Sequence, residues 1–274
     1  MSDFTLRNGE KIYYEDTGRG DRTIVMLHGW TSSHEVYAPV VPQISQYARC
    51  ITYDHRGHGG SKNANRERVT MDTLATDLDE LIRGLGLHDI TLLGWSMGAG
   101  VVMNYTVLFG CDALRQIILC DMTPKQINDE TWKLGLYQGK YTKEDMQKES
   151  GKDFYTLYKK FVIGAVPKYG RIPGFLLRKP LKEILSKCDE GVLKSLSASM
   201  KEKDFRTCAE KINVPVTYFY AVPGSLFSPE LANWYQAHVT APYRSVAFEN
   251  STHMLVSEHS EQFAREVAQI LTDD

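Results

Sequence analysis

The sequence predicts an α/β protein: a mostly parallel sheet with helices on both faces, interrupted once by a helical insert. Three observations predict it. Short apolar runs alternate with amphipathic helical stretches up to about residue 123 and again from about residue 212, the rhythm of strand–helix–strand units. Several runs, such as Thr23–Leu27 and Gln116–Cys120, are apolar almost throughout, as strands buried on both faces of a parallel sheet must be. Between residues 124 and 211 the strand patterns vanish, while Lys, Glu, Asp and Tyr rise. The expected organisation is therefore a core domain made of 1–123 and 212–274, with a helical cap of 124–211 inserted into it.

Taken in order, Lys11 to Glu15 and Thr23 to Leu27 read as strands, separated by the turn cluster Asp16-Thr17-Gly18-Arg19-Gly20-Asp21. Cys50 to Tyr53 is a third strand, ending at Asp54. From Met71 to Leu85 the apolar residues Met71, Leu74, Ala75, Leu78, Leu81, Ile82 and Leu85 share one face at helical spacing, with Thr70 as N-cap. Ile90 to Leu93 and Gln116 to Cys120 are further strands, Val214 to Tyr220 and Tyr243 to Phe248 two more, and Ser260 to Leu271 a final helix. An insert leaving the C-terminal end of a strand lands where such sheets bind ligands, so the cap is expected to act as a lid.

Composition excludes some classes. The 274 residues carry a formal net charge of −2, without the basic excess of a nucleic-acid surface. No apolar run is long enough to span a membrane, and neither a nucleic-acid nor a membrane partner is expected. The five cysteines, Cys50, Cys111, Cys120, Cys188 and Cys208, form no C-x-x-C pair; they read as reduced thiols of a cytoplasmic protein. Met1-Ser2-Asp3-Phe4 does not read as a signal peptide. Oligomeric state is not legible.

The chemistry centres on Gly94-Trp95-Ser96-Met97-Gly98. This G-x-S-x-G follows the Ile90 strand and precedes a helix-like run, the context in which the motif carries a nucleophilic serine on a sharp turn. A serine hydroxyl needs a base within hydrogen-bond reach and a third group to orient that base. In this architecture the chain order is nucleophile, acid, histidine. His253, in Asn250-Ser251-Thr252-His253-Met254 after the last strand, fits the base; His259 opens the charged final helix and reads as solvated. Two backbone N–H groups should hold an oxyanion, one of them that of Met97.

His28-Gly29-Trp30, Asp54-His55-Arg56-Gly57-His58-Gly59-Gly60-Ser61, the Ser96 turn and the His253 loop occur in one order along nearly the whole chain. With these motifs the sequence resembles the α/β-hydrolase superfamily of serine hydrolases. The pairing of His-Gly-Trp with G-x-S-M-G resembles arylesterases and cofactor-free haloperoxidases in particular. The resemblance implies an eight-stranded-type sheet, a second oxyanion donor at the Trp30 amide, and a Trp30 side chain that walls the acyl pocket. It also makes His28 a loop-shaping residue, and His55 and His58 scaffold. Most such proteins carry the acid in a G-x-x-D-x-x-x-P-like turn after the strand that follows the insert. Here that turn is Ala221-Val222-Pro223-Gly224-Ser225-Leu226-Phe227-Ser228-Pro229, with Ser225 at the carboxylate position and no Asp or Glu from Val214 to Ser228. A minority carries the acid one strand earlier, where Asp121 stands. The alternatives are Glu249, at the end of the last strand, and a dyad without an acid.

The resulting expectation is a carboxylesterase-like serine hydrolase acting on small to medium neutral esters. Ser96, His253 and Asp121 would be catalytic, Trp30 and Met97 would form the oxyanion hole, and Trp30, Trp132, Tyr137 and Phe227 would contact substrate. No H-E-x-x-H, Rossmann or Walker motif occurs, so neither a metal nor an organic cofactor is expected. Cleavage of amides, lactones, thioesters or carbon–carbon bonds, and perhydrolysis, remain open with the same groups. Dehalogenase and epoxide hydrolase relatives use an aspartate nucleophile, which Ser96 argues against. Two further readings are a ligand-sensing protein with little turnover, which a ligand-dependent partner would reveal, and a degenerate hydrolase.

Overall fold

The computed structural model describes residues 2–62, 68–224 and 226–273. Eight strands form one sheet: β1 (Ser2–Thr5), β2 (Lys11–Asp16), β3 (Thr23–Leu27), β4 (Arg49–Tyr53), β5 (Ile90–Trp95), β6 (Leu114–Cys120), β7 (Val216–Pro223) and β8 (Tyr243–Ser251). Their spatial order is β1-β2-β4-β3-β5-β6-β7-β8. The first two join antiparallel, and β4 through β8 run parallel. The mostly parallel α/β architecture read from the sequence is the observed one. β1 was not foreseen: four residues, only one of them strongly apolar, give no periodic signal, and the strand exists because it pairs with β2.

The longer helices are α1 (Met71–Gly84), α2 (Met97–Phe109), α3 (Phe154–Ala165), α4 (Gly174–Ser186), α5 (Glu190–Glu202), α6 (Leu231–His238) and α7 (Ser260–Thr272). α1 begins where the sequence indicates, with Thr70 and Thr73 in a reciprocal capping box. Alternation along the strands sorts side chains between two cores. Val25 and Leu27 of β3 pack toward α1 and α2, whereas Ile24 and Met26 pack toward Val40, Ile44 and α7. β5 is buried at all six positions, which explains its lack of polar alternation.

The chain leaves β6 at Asp121 and returns at β7. Between them lie α3, α4, α5 and shorter helical turns, with no strand among the described residues. These helices are tied to the sheet domain through the loop after β4: Asp189 N–H donates to the Gly57 carbonyl at 2.8 Å, and His58 pairs with Cys188 in an isolated bridge. That loop is itself held to α1 by a bidentate ion pair, Arg56 Nε and Nη2 to Asp77 at 2.6 and 2.7 Å, with both residues buried.

Candidate active site

β5 delivers Ser96 to the start of α2. Its φ of 55° and ψ of −122° lie outside the regions open to most L-residues, and two glycines make the turn feasible. A Cβ on Gly98 would lie 2.2 Å from the Leu27 carbonyl oxygen, and one on Gly94 would lie 2.4 Å from the Ala99 nitrogen. No side chain fits either gap. The loop after β3 also passes close, because a Cβ on Gly29 would sit 3.1 Å from Ser96 Cβ. The Met97 N–H stands at the first position of α2, where helix amides have no preceding carbonyl partner. Trp30 directly follows Gly29 in the loop after β3.

His253 lies in the loop after β8 and is 2 % exposed. Its Nε2 is 2.8 Å from Ser96 Oγ, and its Nδ1 is 2.6 Å from Asp121 Oδ2. The backbone of His253 is fixed at both ends of its peptide: Trp95 Nε1 donates to its carbonyl at 2.9 Å, and its N–H donates to Ala165, the last residue of α3, at 3.3 Å. The Trp95 and Phe227 rings stand 5.5 and 5.7 Å from the imidazole. Asp121 directly follows β6, is 2 % exposed and has a φ of 44°. Its N–H still donates to Phe219 of β7 at 2.8 Å, so the turn that aims the carboxylate begins while the ladder is intact. Glu249 is exposed in β8, and Ser225 lies outside the described residues.

Ser96 and His253 open into a cavity of about 830 Å³. Its walls are Trp30 and Trp95, Tyr158, Phe161, Val162 and Ala165 of α3, and Leu177, Pro180, Leu181 and Ile184 of α4. Trp30 is braced by the insert: its Nε1 donates to the Leu193 carbonyl of α5 at 3.1 Å, and Phe154, Tyr158 and Phe161 meet it edge-on.

Three of the residues expected to touch substrate do not line this cavity. Trp132 is turned away, donating from Nε1 to the Lys125 carbonyl at 2.7 Å and packing edge-on against Trp234. Tyr137 lies under α3 against Gly164. Phe227 is 2 % exposed and sits behind the His253 ring. The wall residues that were missed had a readable signal. Tyr158, Phe161, Val162 and Ala165, and again Leu177, Pro180, Leu181 and Ile184, recur at i, i+3, i+4 and i+7, one face of each helix.

Behind the Gly29 loop sit three buried imidazoles. His28 Nδ1 donates to the Gly29 carbonyl at 2.8 Å, and its Nε2 accepts the His55 N–H at 3.0 Å. The His55 and His58 rings lie 4.5 and 5.1 Å from it. Burial, reinforced by the neighbouring imidazoles, holds His28 well below the usual histidine range. Burial lowers His55 to about 3 and His58 to about 4. The unfolded chain takes up these protons near pH 6.5, whereas the folded one does so only far below that. The stabilisation is therefore complete above pH 6.5 and declines as pH falls from 6.5 toward 4, by on the order of 1 kcal/mol per pH unit per histidine. Asp54 adds to the loss only at lower pH, below about 4: burial opposes its charge, but the His34 ring and the amides of His34 and Gly60 still hold it below the usual carboxylate range. The melting temperature should drop steeply as pH falls from about 6.5 toward 4, and less so in His58→Asn. A flat profile would contradict the neutral-cluster account.

Comparison with known proteins agrees with this architecture. A family model described as alpha/beta hydrolase fold matches residues 22–152. An esterase from Exiguobacterium antarcticum superposes with a TM-score of 0.84 at 24 % identity, covering 99 % of each chain. This chain has the alpha/beta hydrolase fold. Among curated proteins similar to this chain, the non-heme chloroperoxidase CPO-A1 of Kitasatospora aureofaciens is 35 % identical over 44 % of this chain and 43 % of its own length, so the match spans under half of that protein. The bifunctional esterase/perhydrolase DCH of Acinetobacter calcoaceticus is 23 % identical over 97 % of this chain and 98 % of its own. Among the described residues no helix is long and apolar enough to cross a membrane.

Proposed function

We propose that this alpha/beta hydrolase is a serine carboxylesterase for small to medium neutral esters, with residues 124–211 as a cap over the site. The observation that carries the reading is the unbroken relay from Ser96 Oγ through His253 to Asp121, 2.8 and 2.6 Å per step, at the base of an apolar cavity. Asp121 accepts from Nδ1–H, which keeps Nε2 unprotonated as the atom that takes the serine proton. Ser96 Oγ attacks the ester carbonyl carbon as its proton passes to Nε2. The Met97 and Trp30 amides stabilise the oxyanion. The tetrahedral centre collapses, the carbon–oxygen bond to the alcohol breaks, and Nε2 protonates the departing alkoxide. A water then attacks the acyl-enzyme, giving its proton to Nε2. Collapse releases the acid and returns the proton to Ser96.

The preference for neutral esters follows from the walls. Apart from the relay, the charged residues Glu35, Glu183 and Lys187 stand exposed at the outer end of the cavity, and none is buried beside Ser96. The relative named esterase/perhydrolase, matched along its length, favours peroxide as a second acceptor of the acyl group. Hydrolysis of p-nitrophenyl acetate and butyrate tests the reading. Wild type should turn over repeatedly, and Ser96→Ala should fall to background, a loss on the order of 10⁶ in kcat. A single stoichiometric burst, or equal rates for both proteins, would remove it.

A further inference from the structure

We infer that the outer face of α4 docks this protein onto anionic lipid surfaces, with the mouth of the cavity against the lipid. The segment from Lys168 to Lys187 is unlike the rest of the chain. It holds six basic residues against one acid, Glu183, in a protein whose formal net charge is −2. Arg171, Arg178, Lys179 and Lys182 are exposed there, and the ion pairs of the described residues use only the end lysines, Lys168 with Glu258 and Lys187 with Glu35.

Among the described residues, the same segment carries the largest concentration of exposed apolar side chains: Phe175 is 76 % exposed, Leu176 55 %, Ile184 41 % and Ile172 37 %. Only three other large apolar residues of the described chain, Tyr47, Val107 and Leu108, are similarly exposed. The two properties form adjacent stripes. Phe175, Lys179 and Lys182 recur at i, i+4 and i+7 on the solvent side. Leu176, Pro180 and Ile184, at i, i+4 and i+8, border the cavity. An aromatic anchor among lysines and arginines, on a helix with an apolar face, is the pattern of helices that lie in a membrane interface. Basic side chains there are attracted to an anionic leaflet. An acidic protein would satisfy the charge but not the apolar side chains bordering an apolar cavity, which an acyl chain entering from a lipid surface does satisfy. Net charge hides this feature, because the positive segment is averaged against an acidic remainder.

Docking is separate from hydrolysis. The consequence that amphiphilic esters reach Ser96 from the lipid side rests on the esterase reading. The test is co-sedimentation of the full chain with phosphatidylcholine vesicles and with vesicles of phosphatidylcholine and phosphatidylglycerol in equal part. Binding to the anionic vesicles should be at least about tenfold stronger and should fade at high salt. Ser96→Ala should bind like wild type, whether or not Ser96 is the nucleophile. Phe175→Ser with Lys179→Glu and Lys182→Glu should lose that binding while keeping wild-type melting temperature and turnover of p-nitrophenyl butyrate. Should that variant misfold, the charge-only pair Arg171→Glu and Arg178→Glu should still reduce binding. Equal binding to both vesicle types, no binding at low salt, or unchanged binding by the folded variants would each overturn the proposal.

Discussion

Asp121→Asn should lower kcat for p-nitrophenyl butyrate by about 10⁴, with little change in KM or melting temperature. The carboxylate sits 2.6 Å from His253 Nδ1, and both groups are buried. An amide of the same shape can present its NH₂ to Nδ1, which favours the tautomer that carries its proton on Nε2 and cannot take the one from Ser96. It also removes the charge that stabilises the imidazolium formed in each step. The matching control is Glu249→Gln, expected within about threefold of wild type, because that side chain is exposed in β8. The opposite pattern, with Glu249→Gln crippling and Asp121→Asn mild, would move the acid to β8. Two mild variants would leave a dyad.

The second large effect is on stability. Asp77→Ala should destabilise the protein by about 3–5 kcal/mol, because it strands the buried Arg56 guanidinium without its bidentate partner. The loss would be felt in the helices between β6 and β7 as well as in the core. Arg56 anchors the loop whose Gly57 carbonyl accepts from Asp189 and whose backbone packs on Val192 of α5. Replacing both partners, Arg56→Met with Asp77→Leu, should recover much of the loss, since no charge is then left unpaired. Chemical denaturation of wild type and the two variants checks this. A double variant no better than Asp77→Ala would mean that the pair matters for something other than its buried charge.

How much of this was legible depended on the kind of signal. The β3, β5 and β6 strands were readable because burial on both faces forces unbroken apolar runs, and α1 because its apolar stripe and Thr70 cap agree. The Ser96 turn was readable because its glycines are dictated by backbone contact with Leu27 and Ala99, a constraint local enough to leave a motif. His253 and Asp121 were legible only through chain order and strand ends, since nothing in their immediate sequence marks them. β1 was missed because its stability is borrowed from β2. The cavity wall was misjudged for a related reason. Aromatic identity drew notice to Trp132 and Tyr137, whereas the cavity is built from whichever face of α3 and α4 turns inward. That face is a matter of helical phase, and aliphatic Leu177, Leu181 and Ile184 count as much as any ring.

The central claim is that Ser96 carries the acyl group. The most direct measurement is an acid quench of wild type and Ser96→Ala during turnover of p-nitrophenyl butyrate, followed by mass spectrometry of the peptide spanning the Gly94–Gly98 turn. The account predicts a butyryl adduct on Ser96 in wild type and none in the variant, with p-nitrophenol release falling to background alongside it. Butyrylation at another residue, or undiminished p-nitrophenol release from Ser96→Ala, would contradict it.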